Sequence, residues 1–243
     1  MEYLIRAQFI MGSILEIGII EKSNFAHIAI DSAFKYANYV NKIWYKFYDG
    51  FEGEGDTIHV EYETDEILKL SLYFIQITDS TFNPFYKSKS LFPKRISEKL
   101  WYFPKGLKID LGGIAKGYLV DRISDILTSF GIDTFYINFG NSSIYSRNYN
   151  LKLYNENFGE FEIFNEAISI SSTIRPIEKT YHIYDPKASK YIKKNISVLL
   201  ICENATECDV YSKAIIINPK LKSKLKIKDI KIFKHENNSD KGN

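Results

Sequence analysis

The chain predicts an α+β fold: one domain of mixed sheets with packed helices. Apolar residues run with a period of two in some stretches and at three- and four-residue steps in others, so strands and amphipathic helices share the chain. No linker, low-complexity segment or internal repeat divides its 243 residues. An apolar fraction of 45% is enough for a sizeable core.

Strands are expected at residues 3–10 and 13–20, with a turn at Met11-Gly12-Ser13 between them. Residues 25–46 read as a helix, because Phe25, Ile28, Ala29, Ala33, Phe34, Ala37, Val40, Ile43 and Trp44 recur at helical steps. Residues 49–56 are glycine and acid in alternation and read as a flexible turn. Residues 57–63 alternate as a strand, and 65–79 look helical. Residues 83–105 are expected to be irregular, with Pro84, Pro93 and Pro104 as punctuation. A strand at 107–111 and a helix at 114–130 follow. Short strands are expected at 133–139, 150–154, 160–164, 167–171, 181–184 and 196–202, and a helix at 205–217. The domain is expected to span residues 1–234, followed by a polar tail, 235–243.

The stretch from Gly106 to Arg122 is the most informative. Leu107, Ile109 and Leu111 alternate around Asp110, Gly112-Gly113 makes a turn, and a helical pattern starts at once. A glycine turn lets backbone approach a ligand, because no Cβ stands in the way. The helix N-terminus offers free N–H groups and the positive end of its dipole, which suits phosphate. Lys116 adds a cation, and Asp110 a carboxylate that could hold magnesium or a sugar hydroxyl. The plainer reading is that the glycines solve a steric problem only. The dinucleotide fingerprint and the P-loop are both absent.

Composition narrows the function. A net charge of +2 gives no electrostatic case for a polyanion partner. Abundant Tyr and Phe, with Lys, Ile and Asn, read as the coding bias of an AT-rich bacterial genome rather than as a base-stacking surface. Residues 219–243 hold eight lysines against three acids. The run Leu221–Lys228 alternates lysine with small or apolar residues and reads as a guarded edge strand, since lysine discourages strand addition. No nucleic-acid partner is expected. Cys202 and Cys208 make no disulfide framework and read as two buried thiols in a reducing compartment. No stretch is long enough to span a bilayer, and no signal peptide or lipobox cysteine is evident. The expected location is the cytoplasm, unless a leader has been removed.

The twelve residues Asp110-Leu-Gly-Gly-Ile-Ala-Lys-Gly-Tyr-Leu-Val-Asp121 resemble the signature of the ApbE-like FAD:protein FMN transferases. Further landmarks follow in that family's order. Met11-Gly12-Ser13 resembles its Met-Gly-Thr, and Thr81-Phe82-Asn83-Pro84 its Phe-Asp-Pro segment. Tyr136–Asn141 resembles its Asn-x-Gly-Gly-Asn strand end, and Ile168–Ser172 its Ser-Thr-Ser-Gly. His182-Ile-Tyr-Asp-Pro186 resembles its His-Ile-Ile-Asp-Pro, and Cys208-Asp-Val-Tyr-Ser-Lys213 its metal helix. The resemblance implies an ApbE-like fold, FAD as substrate, Mg²⁺ as the metal, and an acceptor protein that receives FMN on a Ser or Thr. It implies that Met11, Thr81, Phe82, Asn83, Asp110, Lys116, His182 and Ile183 line the FAD pocket. Gly113, Asp209 and Ser212 would hold the metal, with His182 as general base and Asp209 as the principal metal ligand.

Each residue also has a plainer reading. His182 could cap a turn, Asp209 could sit at a helix N-terminus where the dipole favours it, and Asn138 and Asn141 read as turn formers. Asp121 and Arg122 read as a solvated helix face. Some positions depart from the family pattern. Lys213 stands where the family has Thr, Asn83 where it has Asp, and Asn141 where it has a second Gly. A lysine supplies no hydroxyl, and its ammonium either repels a divalent ion or takes over its role at the phosphate. A catalytically degenerate flavin-binding relative, with a carrier or regulatory role, is the alternative function.

Overall fold

The computed structural model describes residues 3–48, 51–88, 90–175 and 179–234. The first strands form a tight hairpin, β1 (Leu4–Ile10) and β2 (Ser13–Ile19), turned by Met11 and Gly12, both at positive φ. Helix α1 (Ala26–Tyr48) follows, then strand β3 (Asp56–His59) and helix α2 (Tyr62–Ile77). Strands β4 (Lys94–Ser97) and β5 (Leu100–Phe103) make a second hairpin. Helix α3 (Ala115–Ser129) leads to β6 (Phe135–Phe139) and β7 (Ser143–Arg147). A third hairpin is β8 (Leu151–Asn155) with β9 (Gly159–Ile163). The chain closes with β10 (Glu166–Ser172), β11 (Tyr184–Asp185), β12 (Lys190–Tyr191), β13 (Ile196–Cys202), α4 (Ala205–Ile217) and β14 (Asp229–Lys234).

Seven strands form one antiparallel sheet in the order β1-β2-β6-β7-β10-β13-β14. Period-two alternation decides what each face covers. Phe135, Ile137 and Phe139 of β6 and Ala167 of β10 enter the main core with α1, α3 and α4. Ile144, Ile168 and Leu199 point the other way, onto Ile163 of the β8–β9 hairpin. The main core is continuous and also takes in Trp101 and Phe103 of the small sheet β3-β5-β4. Helix α1 buries Ala29, Ile30, Ala33, Phe34, Ala37, Val40 and Trp44, most of the stripe its spacing implies, but Ile28 is exposed and Phe25 lies exposed before its first turn. Cys202 and Cys208 are buried free thiols. No described helix is long and apolar enough to cross a membrane.

The strand expected at 107–111 is absent. Leu107, Ile109 and Leu111 are buried, but the backbone bonds to loops instead of a ladder. Asp110 N–H donates to the Pro84 carbonyl (2.8 Å), Lys108 N–H to Ser88 Oγ (2.6 Å), and the Leu107 carbonyl accepts from Gly53 (2.8 Å). A 3₁₀ turn, Leu111–Gly113, then leads into α3. The region 83–105 is not irregular throughout, since Pro93 and Pro104 flank the β4–β5 hairpin rather than interrupt it. Strand β7 was not foreseen, because Ser143-Ile-Tyr-Ser-Arg147 carries little apolar signal and owes its place to pairing on both sides. Of the stretch 181–184, Tyr181 bridges Ile174 and only Tyr184 enters a strand. The lysine run is not a strand at its start: Pro219–Ser223 is a 3₁₀ turn capped by Asn218. The edge strand is β14, where Lys231 and Lys234 supply the expected guard. Asp49-Gly50 of the acidic turn and the tail 235–243 lie outside the described residues.

Candidate active site

Helices α3 and α4 cross closely over the sheet, and the site lies at the head of α3. Gly117 sets the approach. A Cβ there would lie 2.3 Å from the Ala205 carbonyl oxygen and 2.8 Å from Asp209 Cβ. The short approach lets Gly117 N–H donate to Asp209 Oδ2 at 3.1 Å. Asp209, 1% exposed, thus takes a backbone donor from the neighbouring helix. Its Oδ1 is paired with the Lys213 ammonium one turn later on α4, and Lys213 Nζ also donates to the Asp209 carbonyl (2.9 Å).

Ser212 is turned elsewhere. Its hydroxyl is fully buried, bonded to Ser169 Oγ (3.0 Å), Ser171 Oγ (2.8 Å) and the Asp209 main-chain carbonyl (3.0 Å). A one-residue step on a helix turns a side chain by about 100°, so Ser212 and Lys213 face different neighbours. Gly113 packs between the Phe82 ring and the Lys213 stem: an added Cβ would lie 3.0 Å from Phe82 Cε2 and 3.3 Å from Lys213 Cδ.

The expected magnesium set of Gly113, Asp209 and Ser212 does not fit a hard dication. Both Asp209 oxygens carry donors, one of them a cation, and the Ser212 hydroxyl serves β10. No three His, Cys, Asp or Glu converge on a possible metal position among the described residues.

Asp110 works in the turn before α3. Its Oδ1 accepts Gly112 N–H (3.0 Å); its Oδ2 accepts Tyr86 OH (3.1 Å) and Lys87 Nζ (3.0 Å). Burial pushes its carboxyl up, but Lys87 and these hydrogen bonds outweigh burial and hold it below the usual range. Burial and the Asp110 charge push the Tyr86 phenol up. The Tyr86 ring lies 4.7 Å from that of Tyr184 at 32°. Lys116 bonds to Ser142 Oγ. Burial pulls its ammonium pKa down, Asp209 opposes this, and the Lys213 charge adds to the fall.

Two clefts meet at these groups. The smaller, about 180 Å³, is lined by Thr81, Phe82, Asn83, Tyr86, Asp110, Ile183 and Tyr184. The larger, about 750 Å³, runs past Lys116, Asn141 and Ser142 beneath the β8–β9 hairpin. Gly112, Arg175, His182 and Lys213 border both. Of the expected FAD-pocket residues, the structure gathers Thr81, Phe82, Asn83, Asp110, His182 and Ile183 at the smaller cleft and Lys116 at the larger. Asn83 Oδ1 accepts Phe85 N–H (2.8 Å), which shapes the loop. Met11 is the exception: it lines neither cleft, because its half-buried side chain packs on the core. Its turn instead brings Ser13 Oγ against Gly140, where an added Cβ would lie 2.2 Å away.

Asn138 and Asn141 are turn formers, as expected: Asn138 Oδ1 accepts Asn141 N–H (3.0 Å). Asp121 is not on a solvated face. Its carboxylate accepts Ala205 N–H and Thr206 N–H (both 2.8 Å) and the Thr206 hydroxyl, capping α4 from α3. Burial raises its pKa despite these donors. Tyr86, Lys87, Arg175 and Tyr184 were missed by the sequence reading. Tyr86 and Lys87 lie two and three residues past Thr81–Pro84, and Tyr184 lies within His182–Pro186, so proximity to those segments could have found them; Arg175 carries no such signal.

A family model described as the ApbE family matches residues 89–231. The chain belongs to the ApbE family. Solved ApbE structures share the fold. The Thermotoga maritima ApbE protein superposes with a TM-score of 0.76 at 19% identity, covering 89% of this chain and 87% of that one. The flavin transferase ApbE from Vibrio cholerae, as its H257G mutant, gives 0.74 at 15%, with the same coverage. The apo flavinyl transferase ApbE from Pseudomonas stutzeri gives 0.74 at 13%, covering 89% and 84%. Among curated proteins none matches this sequence.

Proposed function

We propose that this ApbE-family chain binds FAD and transfers its FMN moiety to a Ser or Thr hydroxyl of an acceptor protein. The observation that carries this reading is the meeting of two clefts at one rim. The smaller has aromatic walls, Phe82, Tyr86 and Tyr184, suited to a flat ring. The larger holds Lys116 and has room for a second reactant beneath the hairpin. The Lys213 ammonium and the His182 imidazole stand on the rim between them.

In this reading the reaction divides among the residues at that rim. The acceptor hydroxyl attacks the FMN phosphorus, the bond to the adenylate breaks, and AMP leaves. His182, at the border of both clefts, takes the hydroxyl proton as general base. Lys213 and Lys116 face the pyrophosphate charge, and Asp110 holds Tyr86 against the ring pocket. Positioning and electrostatic stabilisation supply most of the rate in such transfers. Lys213 and Ser212, as placed, leave no ligand set for magnesium. A second reading, flavin binding without transfer, is favoured by that same altered metal helix.

Two measurements decide. FAD is titrated into the protein by fluorescence quenching, and AMP release is followed with a Ser/Thr-bearing acceptor protein present. Saturable binding with AMP formed in step with a flavin-fluorescent acceptor band is the expected result. Binding without AMP establishes the second reading; no binding overturns both.

A further inference from the structure

We propose that Lys213, seated on Asp209, supplies together with Lys116 the positive charge at the phosphate site, so that this chain works without a divalent metal. The inference rests on the flavin reading above for its ligand, and on geometry for its substance. Residues 209 and 213 are one turn apart on α4, so the two side chains share a face. The Asp209 side chain is 2% exposed and that of Lys213 is 20% exposed. The ammonium therefore covers the carboxylate oxygen that a metal would need. The other oxygen is held by Gly117 N–H.

The lysine is also built in, not draped. Its stem lies against Gly113, where an added Cβ would crowd Lys213 Cδ at 3.3 Å. Its head borders both clefts, and Lys116 reaches the larger from the first turn of α3. Two ammoniums carry the charge of one divalent ion. Asp209 neutralises one of them in the absence of ligand, which leaves a net positive charge at the clefts. A phosphate anion entering the clefts restores balance without displacing either lysine. A divalent ion would have to expel Lys213 from the buried carboxylate first, breaking its bonds to the Asp209 side chain and carbonyl, and would then face the displaced ammonium across the same clefts.

The first test needs no nucleotide. Mn²⁺ is titrated into the wild-type protein and followed by the loss of the free-ion EPR signal. No loss is expected; stoichiometric capture of Mn²⁺ overturns the proposal whatever the protein does with flavin. In Lys213→Thr, capture is expected to appear. Where that variant unfolds, judged by circular dichroism, Lys213→Met replaces it in the second test and keeps the stem. The second test titrates FAD with EDTA or with Mg²⁺. Equal affinity in the wild type supports the proposal, with a loss of about tenfold or more in either variant under EDTA, as for a lost charge-assisted bond. Wild-type binding tightened by Mg²⁺ overturns it and leaves the flavin reading standing. Absence of FAD binding in both conditions overturns the flavin reading, and the Mn²⁺ titration still decides whether the lysine excludes metal.

Discussion

Lys116 stands in the first turn of α3 with its head on Ser142, close enough to Asp209 and Lys213 to feel both charges. Burial and the second ammonium lower its pKa from the ordinary 10.5, against the pull of Asp209. The sign follows: as pH rises, Lys116 loses its proton before an exposed lysine would, and an anionic ligand is then held less well. FAD affinity should fall on the alkaline side, below the ordinary lysine range, and Lys116→Arg should flatten that fall. Titrations from neutral pH upward check this. His182 borders both clefts and is placed through its backbone, whose N–H donates to the Thr173 carbonyl (3.1 Å). His182→Gln should slow FMN transfer by about 10²–10⁴-fold, the usual worth of a general base, with FAD affinity little changed. Equal losses in binding and rate would show that His182 only shapes the pocket.

Helix α3 is held against α4 by two devices, one glycine and one cap. Gly117→Ala removes a glycine from the first turn of α3, which by propensity alone would stabilise by at most about 1 kcal/mol. The new methyl would meet main-chain oxygen at 2.3 Å, and overpacking costs about 1–3 kcal/mol or more. The clash wins, so the variant should melt below the wild type; a raised Tm would disprove the close crossing. Helix α2 is tied to the small sheet through Asp65, whose carboxylate accepts Arg95 (2.9 and 3.0 Å) and the Trp101 indole N–H (2.8 Å). Burial would raise the Asp65 pKa, but the Arg95 and Trp101 bonds bring it below 3.8. A depressed carboxyl contributes stability above 3.8 that is lost as pH falls through the lower folded value. Urea midpoints should therefore drop in that acid window, and Asp65→Asn should lose stability at neutral pH while showing a shallower acid drop.

At the scale of the molecule, one continuous core joins the seven-stranded sheet, its helices and the small sheet. The two tryptophans report from separate parts of it. Trp44 of α1 donates to Thr64 Oγ1 (3.2 Å), and Trp101 of β5 to Asp65; both are fully buried. Because no boundary divides the core, tryptophan fluorescence and far-ultraviolet circular dichroism should report one coincident urea transition. Separate transitions would mean that the small sheet folds as a unit of its own.

Elements with strong periodicity were legible in the sequence: α1 from its apolar stripe, and β1 and β2 from their alternation. So was the turn before α3, because two glycines and a flanking acid have few structural uses. The rest depended on neighbours distant in the chain. Leu107–Leu111 has a strand's pattern, yet its backbone partners are Gly53, Pro84 and Ser88, so no ladder forms. Ser143–Arg147 lacks the pattern and is a strand because β6 and β10 pair with it. Asp121 reads as a surface residue until α4 is laid beside it. By itself the sequence determined the family and the fold class, since local periodicity and short motifs are properties of neighbours along the chain. Only the tertiary structure decided that Lys213 closes over Asp209 and that Ser212 turns to β10. Which partner a buried polar group finds depends on the packing of separate elements, and packing is not written in the spacing of one.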